Sequence, residues 1–469
     1  MNRREFLKGT AWMGVTAAAA GCMNTRLFDF TSGAPMMDFK CAPMKKIRVG
    51  CIGLGARGQG PLYRLPVIPG VVITALCDIV PEKIAAAQKR IGELGNPKAK
   101  EYCGPEAYKA VCDDPEVDVV YQCTPWALHT PIALYAMRSG KHIMTEVPAA
   151  MTIDECWEQV ETAEKMKVHC MQLENCCYGE LELLALNMCR KGLLGELMHG
   201  EAAYIHDLSE HAGRKVGDVE WWRSDWNLVH KGNQYPTHGL GPVCQYLGVN
   251  RGDQFDYLVS LENHQARMML QNEKRNGRFH GRKFEMSDMN MTLIRTALGR
   301  SILLAHDVSS PRPYTRYNTI QGTLGIFKSY PYRLAIEQEL GDGKAHQYLP
   351  EEEAEKYRKE YMHPLWGHVG ALAEQIGGHG GMDFLMDLRW CYCLQNGLPL
   401  DMSVYDLAAW CSMCELTEKS VRGGSKPMRC IDFTRGAWKT TAPLGIVDVD
   451  MAKLPFRKNI GKDDKALDV

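Results

Sequence analysis

Short apolar runs alternate with helix-like patterns along the first third of the chain. The runs KKIRVGCI, VVITALCD, VDVVYQC and KHIMTEV predict buried strands. Between them, PEKIAAAQKRIGEL predicts a helix that begins at Pro81, and TPIALYAMRSG predicts one that ends at Gly140. Because alternating strands and helices are joined by right-handed crossovers, they form a parallel sheet. Residues 45–170 are therefore predicted to form a Rossmann domain.

The pattern changes from about residue 175 onward. The segments GELMHGEAAYIHD, MTLIRTALGRSILLAHD and NTIQGTLGIFKSYPYRLAIEQ resemble long strands separated by loops and a few helices. They predict an open, mainly antiparallel sheet that packs on or beside the first domain. The predicted fold class is therefore α/β, with a C-terminal α+β substrate domain at 171–430 and a C-terminal extension at 431–469.

A glycine-rich turn directly follows the first predicted strand. Gly53 permits a tight turn, Gly55 lets the backbone approach a pyrophosphate, and Gly58 lets the next helix pack closely on the strand. The second strand ends at Asp78, about twenty residues past the last glycine. Its carboxylate can accept hydrogen bonds from both ribose hydroxyls and would repel a 2′-phosphate. The pattern predicts an NAD site rather than an NADP site.

The N-terminus is typical of an exported bacterial protein. The pair Arg3-Arg4 precedes a small, apolar stretch, which predicts a twin-arginine signal at 1–22 and a linker at 23–44. Ala19, Ala20 and Gly21 precede Cys22 as in a lipoprotein cleavage site, and whether Cys22 carries lipid is left open. Twin-arginine substrates fold before export, so the protein could collect its cofactor in the cytoplasm. We expect it in the periplasm or lipid-anchored to the cell envelope, with no other membrane contact.

Composition narrows the function classes. A length of 469 residues favours two domains, and a net charge of −1 argues against a nucleic-acid-binding protein. The 18 cysteines are scattered, and the pair Cys411 and Cys414 lies in a helical stretch without a second pair at zinc-site spacing. We interpret the cysteines as buried apolar side chains and predict no metal centre. Formation of a homo-oligomer is left open.

Two predicted strands end in chemically rich segments. Trp126 and His129 follow the third strand, and Glu146 and Val147 follow the fourth. Ligands of open α/β sheets bind beyond the carboxyl ends of the strands, so these side chains should line a nicotinamide pocket. A surface or helix-capping role for His129 is the alternative.

Aromatic and hydrogen-bonding residues recur in the second half. They are Trp221, Trp222 and Arg223, then Tyr235 to His238, then Tyr314, Tyr317 and Asn318. Flat aromatic faces and hydrogen-bonding groups suit a sugar, although core packing is the alternative for the two tryptophans. His379 is flanked by Gly377, Gly378, Gly380 and Gly381. Such a loop, mobile or close to a neighbouring backbone, is predicted to deliver a catalytic imidazole.

These motifs together resemble a known group. GLGARGQG, PWALH, EVPAA, ENCCYGE, WWR, YPTHGLGPV, RYNTIQGTLG and GGHGG are similar to segments of the NAD-dependent glycoside hydrolases of family 109, within the Gfo/Idh/MocA superfamily. The resemblance runs along nearly all of the mature chain. Sugar dehydrogenases of the superfamily carry a proton-transferring lysine where this chain has Val147. The family 109 glycosidases also lack that lysine, so the valine favours them.

The resemblance implies hydrolysis of α-N-acetylgalactosaminides or related hexosaminides and galactosides in glycans. NAD would oxidise C3 of the sugar, a base would remove the acidified C2 proton, and the aglycone would leave C1. Water addition and reduction at C3 would then restore the sugar and the cofactor, an exception to the two-carboxylate mechanism. Two alternatives stay open: a sugar oxidoreductase that releases oxidised product, and a non-catalytic NAD-bound sugar-binding protein.

The resemblance also implies residue roles, which sequence alone does not apportion fully. His379 suits the acid at the leaving group, Tyr235 or His238 could act at C3 or C2, and Tyr178 is a further proton-transfer candidate. Sugar contacts are predicted for Tyr204, Arg223, Tyr235 and Tyr317. NAD contacts are predicted for Gly53, Gly55, Ala56, Arg57, Gly58, Asp78, Trp126, Ala127, Leu128, His129, Glu146, Val147, Asn175, Tyr235, Pro236, Thr237 and His238.

Overall fold

The computed structural model describes residues 35–208, 215–216, 219–220, 222–275, 279–454 and 456. The predicted signal at 1–22, most of the predicted linker and Trp221 lie outside these residues. No helix in the described part of the chain is both long and apolar enough to span a membrane.

The first region is a six-stranded, entirely parallel sheet in the order β3-β2-β1-β4-β5-β6. The predicted parallel Rossmann sheet is therefore confirmed. Its strands are β1 (Ile47–Ile52), β2 (Val71–Asp78), β3 (Lys100–Cys103), β4 (Val119–Gln122), β5 (His142–Thr145) and β6 (Cys170–Gln172). Its helices are α1 (Gly60–Arg64), α2 (Pro81–Glu93), α3 (Ala107–Asp113), α4 (His129–Arg138) and α5 (Ile153–Met166).

Local sequence explains the central elements and not the sheet edges. Helix α2 buries Ile84, Ala87 and Ile91, which lie on one face at helical spacing. Strand β3 is mostly exposed and polar, and β6 has only three residues, so neither gives an apolar signal long enough to predict.

The second region is an eight-stranded sheet in the order β15-β14-β13-β7-β12-β11-β10-β16. All of its pairs are antiparallel except β7 with β12, so the predicted open, mainly antiparallel sheet is confirmed. Its strands are β7 (Leu197–Ile205), β10 (Phe255–Glu262), β11 (Asn290–Thr296), β12 (Ser301–Asp307), β13 (Thr319–Gly322), β14 (Gly325–Ser329), β15 (Tyr332–Ile336) and β16 (Met428–Arg429), and a separate hairpin joins β8 (Lys215–Val216) to β9 (Val219–Glu220).

Helices join the two regions. Helix α13 packs against α5 of the first region and β10 of the second, and α12 packs against α1 and β1. The helices after the first region are α6 (Glu180–Arg190), α7 (Arg223–Val229), α8 (Thr237–Leu247), α9 (Arg267–Arg275), α10 (Glu351–Glu360), α11 (Pro364–Ile376), α12 (Met382–Asn396) and α13 (Val404–Arg422). The cysteines in the described ranges are free thiols, and most of them are buried.

Helix α8 covers one face of the large sheet. A Cβ added at Gly239 would lie 2.3 Å from the backbone nitrogen of Ala203, so glycine allows α8 to touch β7. Successive strand side chains point to opposite faces. Tyr204 therefore faces the α8 side, whereas Ala203 and Ile205 face the other side. This close packing brings the start of α8 to the carboxyl edge of the parallel sheet.

Candidate active site

The glycine-rich turn between β1 and α1 fits a dinucleotide. Gly53 has φ +86°, and a Cβ there would lie 2.5 Å from the carbonyl oxygen of Cys123. A Cβ at Gly58 would lie 1.9 Å from the Gly53 carbonyl oxygen, so both positions require glycine. At Gly55 the nearest atom to an added Cβ is the Lys83 Nζ, 3.8 Å away. The backbone therefore borders an open space beside a cation, as a pyrophosphate needs.

Asp78 is placed to bind the ribose of a dinucleotide held at this turn. Its carboxylate lies at the end of β2 and is almost fully buried, where it accepts hydrogen bonds from the backbone nitrogens of Leu54 (2.8 Å) and Val80 (2.9 Å). Each carboxylate oxygen keeps acceptor capacity for a ribose hydroxyl. The turn also contains Ala56 and Arg57.

Arg57 connects this turn to the rest of the site. Its Nε donates to Glu146 after β5 (2.6 Å), and its Nη1 donates to Asp383 at the start of α12 (2.8 Å). Asp383 also accepts from Asn175 Nδ2 at 2.5 Å. Burial alone would raise the pKa of Asp383, but Arg57 and Arg64 lower the pKa well below its ordinary value. The carboxylate is therefore a buried anion shared between both regions of the protein.

Four of the predicted residues form a cluster beyond the carboxyl ends of β4 and β5, which we call the aromatic cluster: Trp126, Tyr204, Arg223 and Tyr235. The ring centroids of Tyr204 and Tyr235 are 4.6 Å apart, and those of Trp126 and Tyr235 are 5.8 Å apart. The guanidinium carbon of Arg223 lies 5.0 Å from the ring centroid of Trp126 and 4.9 Å from that of Tyr235. Three of the four predicted sugar-binding residues are thus brought together.

The remaining predicted residues around this cluster come from nearby segments. Val147 is buried against it, and the Trp222 ring lies 4.9 Å from that of Trp126. Trp222 therefore packs at the edge of the candidate site. Ala127 and Leu128 lie in the short turn after β4, and Pro236 and Thr237 lie at the start of α8.

Two histidines at this site are each bonded to a buried carboxylate through Nδ1. His238, in the first turn of α8, lies 2.7 Å from Glu174 Oε1, and we call these two residues the buried pair. His379 lies 3.0 Å from Asp383 Oδ2, and we call these two the loop pair. The His238 side chain is 14% exposed and contacts both tyrosines of the aromatic cluster, whereas the His379 side chain is 51% exposed.

Glycine shapes the loop that carries His379. Gly378 has φ +89°, and a Cβ there would lie 2.7 Å from the Cβ of Asp383. His379 itself has φ +47°. A Cβ at Gly381 would lie 2.8 Å from backbone atoms of Ala373 and Glu374, so the loop packs against the preceding helix, and a larger residue at 378 would push the imidazole away from its carboxylate.

His129 has neither the surface position nor the helix-capping role of the alternative interpretation. It is 1% exposed, so a surface role is wrong, and its side chain caps no helix. Its Nδ1 and Nε2 each lie 2.7 Å from a backbone carbonyl oxygen, of Pro148 and Thr124 respectively. Burial lowers the pKa of His129, against the effect of these hydrogen bonds. The imidazole ring therefore links the two segments that follow β4 and β5 through these two contacts.

Two other predicted residues lie away from the aromatic cluster. Tyr178 is 2% exposed, and its hydroxyl donates to Asp401 at 2.9 Å, so we do not retain it as a proton-transfer candidate. Tyr317 packs against Ala203 and Ile205, on the face of the large sheet opposite Tyr204. Strand alternation therefore separates the ring of Tyr317 from that of Tyr204, and Tyr317 does not join the aromatic cluster.

Comparison with known proteins identifies the family. A glycosyl hydrolase family 109 protein of Shewanella amazonensis is 45% identical to this chain, over 96% of this chain and 99% of the relative. The chain belongs to glycosyl hydrolase family 109. A family 109 protein of Bacteroides fragilis is 44% identical, covering 84% of this chain and 86% of the relative. Residues 178–440 match the glycosyl hydrolase 109 C-terminal domain, and residues 47–173 match the oxidoreductase family with an NAD-binding Rossmann fold.

Solved structures share the fold of this family 109 chain. A levoglucosan dehydrogenase in complex with NADH and levoglucosan aligns with a TM-score of 0.63 at 20% identity, covering 82% of this chain and all of the other. An aldose–aldose oxidoreductase of Caulobacter crescentus aligns with a TM-score of 0.57 at 19% identity, covering 82% and 99%. The first region is an NAD-binding Rossmann domain, and the chain is an NAD-dependent enzyme of family 109.

Sequence reasoning missed three residues of the family 109 site, Glu174, Asp383 and His306, whereas Tyr314 was singled out with the other aromatic residues. Glu174 opens the quoted motif ENCCYGE, and Asp383 follows His379 by only four residues. These two sequence positions were the only hints that the carboxylates belong to the site. His306 is buried beside Tyr204, with ring centroids 6.3 Å apart, and Tyr314 contacts the edge of Tyr204. Nothing in the sequence around His306 distinguishes it from a core residue.

Proposed function

We propose that this family 109 enzyme hydrolyses terminal α-N-acetylgalactosamine, or a related hexosaminide or galactoside, by NAD-assisted elimination at the aromatic cluster. When bound, NAD supplies reversible hydride chemistry at C3 of the sugar, which acidifies the C2 proton. The observation that carries the proposal is the buried pair beside Tyr204 and Tyr235. The imidazole of this pair supplies the base that Val147, at the position where sugar dehydrogenases carry a lysine, cannot supply.

His238 is the base at C2. Its Nδ1 is held by Glu174, so its Nε2 is the atom left for the substrate. Burial alone would raise the pKa of Glu174, but interactions with His238, with the Thr237 side chain and with the backbone nitrogen of Cys176 lower it, so the carboxylate stays ionised. A fixed negative charge stabilises the imidazolium that forms when the C2 proton is taken, as in the carboxylate–histidine pair of serine hydrolases.

His379 is the acid at the leaving group. The buried, ionised Asp383 holds its Nδ1, and the exposed side of the ring can face a departing aglycone. In the elimination the C2–H and C1–O bonds break and a C1–C2 double bond forms. The C2 proton goes to His238, and a proton of His379 goes to the aglycone oxygen. Water then attacks C1 while the deprotonated His379 takes one of its protons, and His238 returns its proton to C2, so that hydration restores both histidines.

The aromatic cluster recognises the sugar. The rings of Tyr204, Tyr235 and Trp126 offer apolar faces to the C–H surface of a pyranose, and the Arg223 guanidinium can donate to its hydroxyls or acetamide oxygen. The close contact of Arg223 with two rings orients its planar donors without further ordering on binding.

A panel of nitrophenyl glycosides, assayed without added cofactor, tests the proposal. We expect turnover of the α-N-acetylgalactosaminide and loss of deuterium from a substrate labelled at C2. Complete retention of the label during turnover would rule out elimination. A sugar oxidoreductase is the second candidate, because the solved neighbours include levoglucosan dehydrogenase. It predicts no glycoside turnover, net consumption of added NAD and a lasting NADH absorbance.

We also propose that residues 1–22 direct export of the folded protein to the periplasm or the cell envelope. Changing Arg3 and Arg4 together to lysine should leave the protein in the cytoplasmic fraction. The control is a change of Lys45 and Lys46 together to arginine, which also conserves charge and should leave export intact. Export of the doubly lysine-substituted protein would contradict the proposal.

A further inference from the structure

We propose that Glu174 is a positioning residue that holds His238 in the tautomer with hydrogen on Nδ1, so that Nε2 removes the C2 proton. The inference rests on the proposed function and deepens it. Glu174 makes no described contact with the aromatic cluster itself, and it acts through His238.

The tautomer follows from the hydrogen-bond geometry. Glu174 is fully buried after β6, and its Oε1 lies 2.7 Å from His238 Nδ1. The same oxygen accepts a hydrogen bond from the backbone nitrogen of Cys176 at 3.1 Å. An ionised carboxylate only accepts hydrogen bonds, so Nδ1 must carry the hydrogen and the neutral ring must present a lone pair at Nε2.

The packing of α8 sets the distance between the two groups. Gly241 follows His238 by three residues, and a Cβ there would lie 3.0 Å from Glu174 Cγ and 3.0 Å from Cys177 Sγ. Glycine at 241 therefore lets α8 lie against the turn that carries Glu174. The charged and titratable groups that face the pair are Tyr204, Tyr235, Arg223, Cys176 and Cys177.

A metal ion is the competing use of this cluster. Ligand atoms of Glu174, Cys176 and His238 lie within 4.8 Å of one another. Burial raises the pKa of the Cys176 thiol well above its ordinary value, and a protonated thiol is a poor metal ligand. The geometry therefore favours a hydrogen-bonded pair, and metal analysis provides a direct check.

Glu174→Gln tests the assignment, with Glu174→Asp as the conservative variant. We expect Glu174→Gln to lower kcat and the rate of C2 deuterium exchange by about 100-fold or more, because loss of the carboxylate frees the ring to adopt the other tautomer. KM should change by less than about threefold, because Glu174 acts through His238 and the residues that bind the substrate are unchanged. Glu174→Asp should recover part of the exchange rate and the wild-type pH profile of kcat.

The matched control is Glu164→Gln. Glu164 is another buried carboxylate, and it bonds Tyr405 and Arg435 beside helix α5. This variant should exchange C2 deuterium at the wild-type rate, even if its stability falls. Equal exchange by Glu174→Gln and the wild type would overturn the role of Glu174 while leaving the proposed function intact. No exchange by the wild type would instead overturn the proposed function.

Nitrogen NMR of histidine-labelled wild-type protein tests the tautomer without any variant. We expect the neutral His238 ring to show a protonated Nδ1 and an unprotonated Nε2. The opposite pattern would overturn the inference. A stoichiometric metal in the purified wild type that Glu174→Gln lacks would also overturn it, because Glu174 would then be a ligand.

Discussion

The buried pair and the loop pair use the same chemistry in two different settings. In each pair a histidine Nδ1 is bonded to a buried carboxylate, at 2.7 Å for His238 and 3.0 Å for His379. His238 lies on a helix against two tyrosines, whereas His379 lies on a glycine loop with about half of its side chain exposed. In the proposed mechanism, burial and the supporting backbone, rather than the histidine–carboxylate pair itself, distinguish the base at C2 from the acid at the leaving group.

The carboxylates differ in their other partners. Asp383 is also bonded by Arg57 and Asn175, so the loop pair is tied to the nucleotide-binding turn. Glu174 is bonded by a backbone nitrogen of its own turn in addition to His238. Disturbing Asp383 should therefore affect folding and the cofactor region, whereas disturbing Glu174 should affect proton removal.

The largest expected effect comes from His238→Ala. Removing the base should lower kcat by about 1,000-fold for every aglycone, including activated nitrophenyl groups, because C2 proton removal precedes departure of any leaving group. Steady-state rates with poor and activated aglycones measure this. His368→Ala is the control, since His368 forms a similar pair with Asp448 at the surface (2.9 Å). A loss confined to poor leaving groups would reverse the assignment of the two histidines.

Asp383→Asn should lower the free energy of unfolding by about 3 kcal/mol. The change leaves the buried Arg64 and the partly exposed Arg57 without part of their counter-charge, and breaking a buried ion pair is strongly destabilising. Urea unfolding measures the effect. Asp448→Asn, at a surface pair, should cost less than about 1 kcal/mol. Equal losses for the two variants would show that the buried network does not stabilise the fold.

His379→Ala should slow cleavage of poor leaving groups by about 100-fold and of activated aryl groups by less than about threefold. A good leaving group departs without protonation, so only poor ones need the acid. Rates across a series of aglycones of different pKa provide the measurement. An equal loss along the series would argue against His379 as the acid.

The smallest expected effect concerns His306, which lies beside the aromatic cluster. Burial, followed by the charge of Arg223, lowers the pKa of His306 to about 3. As the pH falls below the ordinary histidine pKa of about 6.5, His306 binds a proton in the unfolded chain but not in the folded protein. The free energy of unfolding therefore falls by about 1.4 kcal/mol per pH unit. The loss continues until the pH reaches the folded pKa. His306→Asn should reduce the slope of unfolding free energy between pH 6 and 4 by that amount. Identical slopes would show that His306 titrates normally.

Sequence patterns predicted the features that depend on neighbouring residues. The central strands of the Rossmann sheet were visible because each is a short apolar run between helix signals, and the NAD-binding turn was visible because Gly53 and Gly58 cannot be replaced without a clash. The edge strand β3 was missed because its exposed side chains carry no apolar pattern. The position of Tyr317 was not predictable, because family motifs do not reveal which face of a sheet a side chain occupies.

The sequence by itself determined the parallel domain, the preference for NAD through Asp78, and the glycine loop of His379, since each follows from local backbone or side-chain chemistry. Only the tertiary structure decided the partners of the two histidines and of Arg57. Glu174 and His238 are 64 residues apart, and Arg57 and Asp383 are 326 apart. Such pairs form because α8 and α12 pack against the ends of the parallel strands, and the packing of distant segments leaves no periodic signal along the chain.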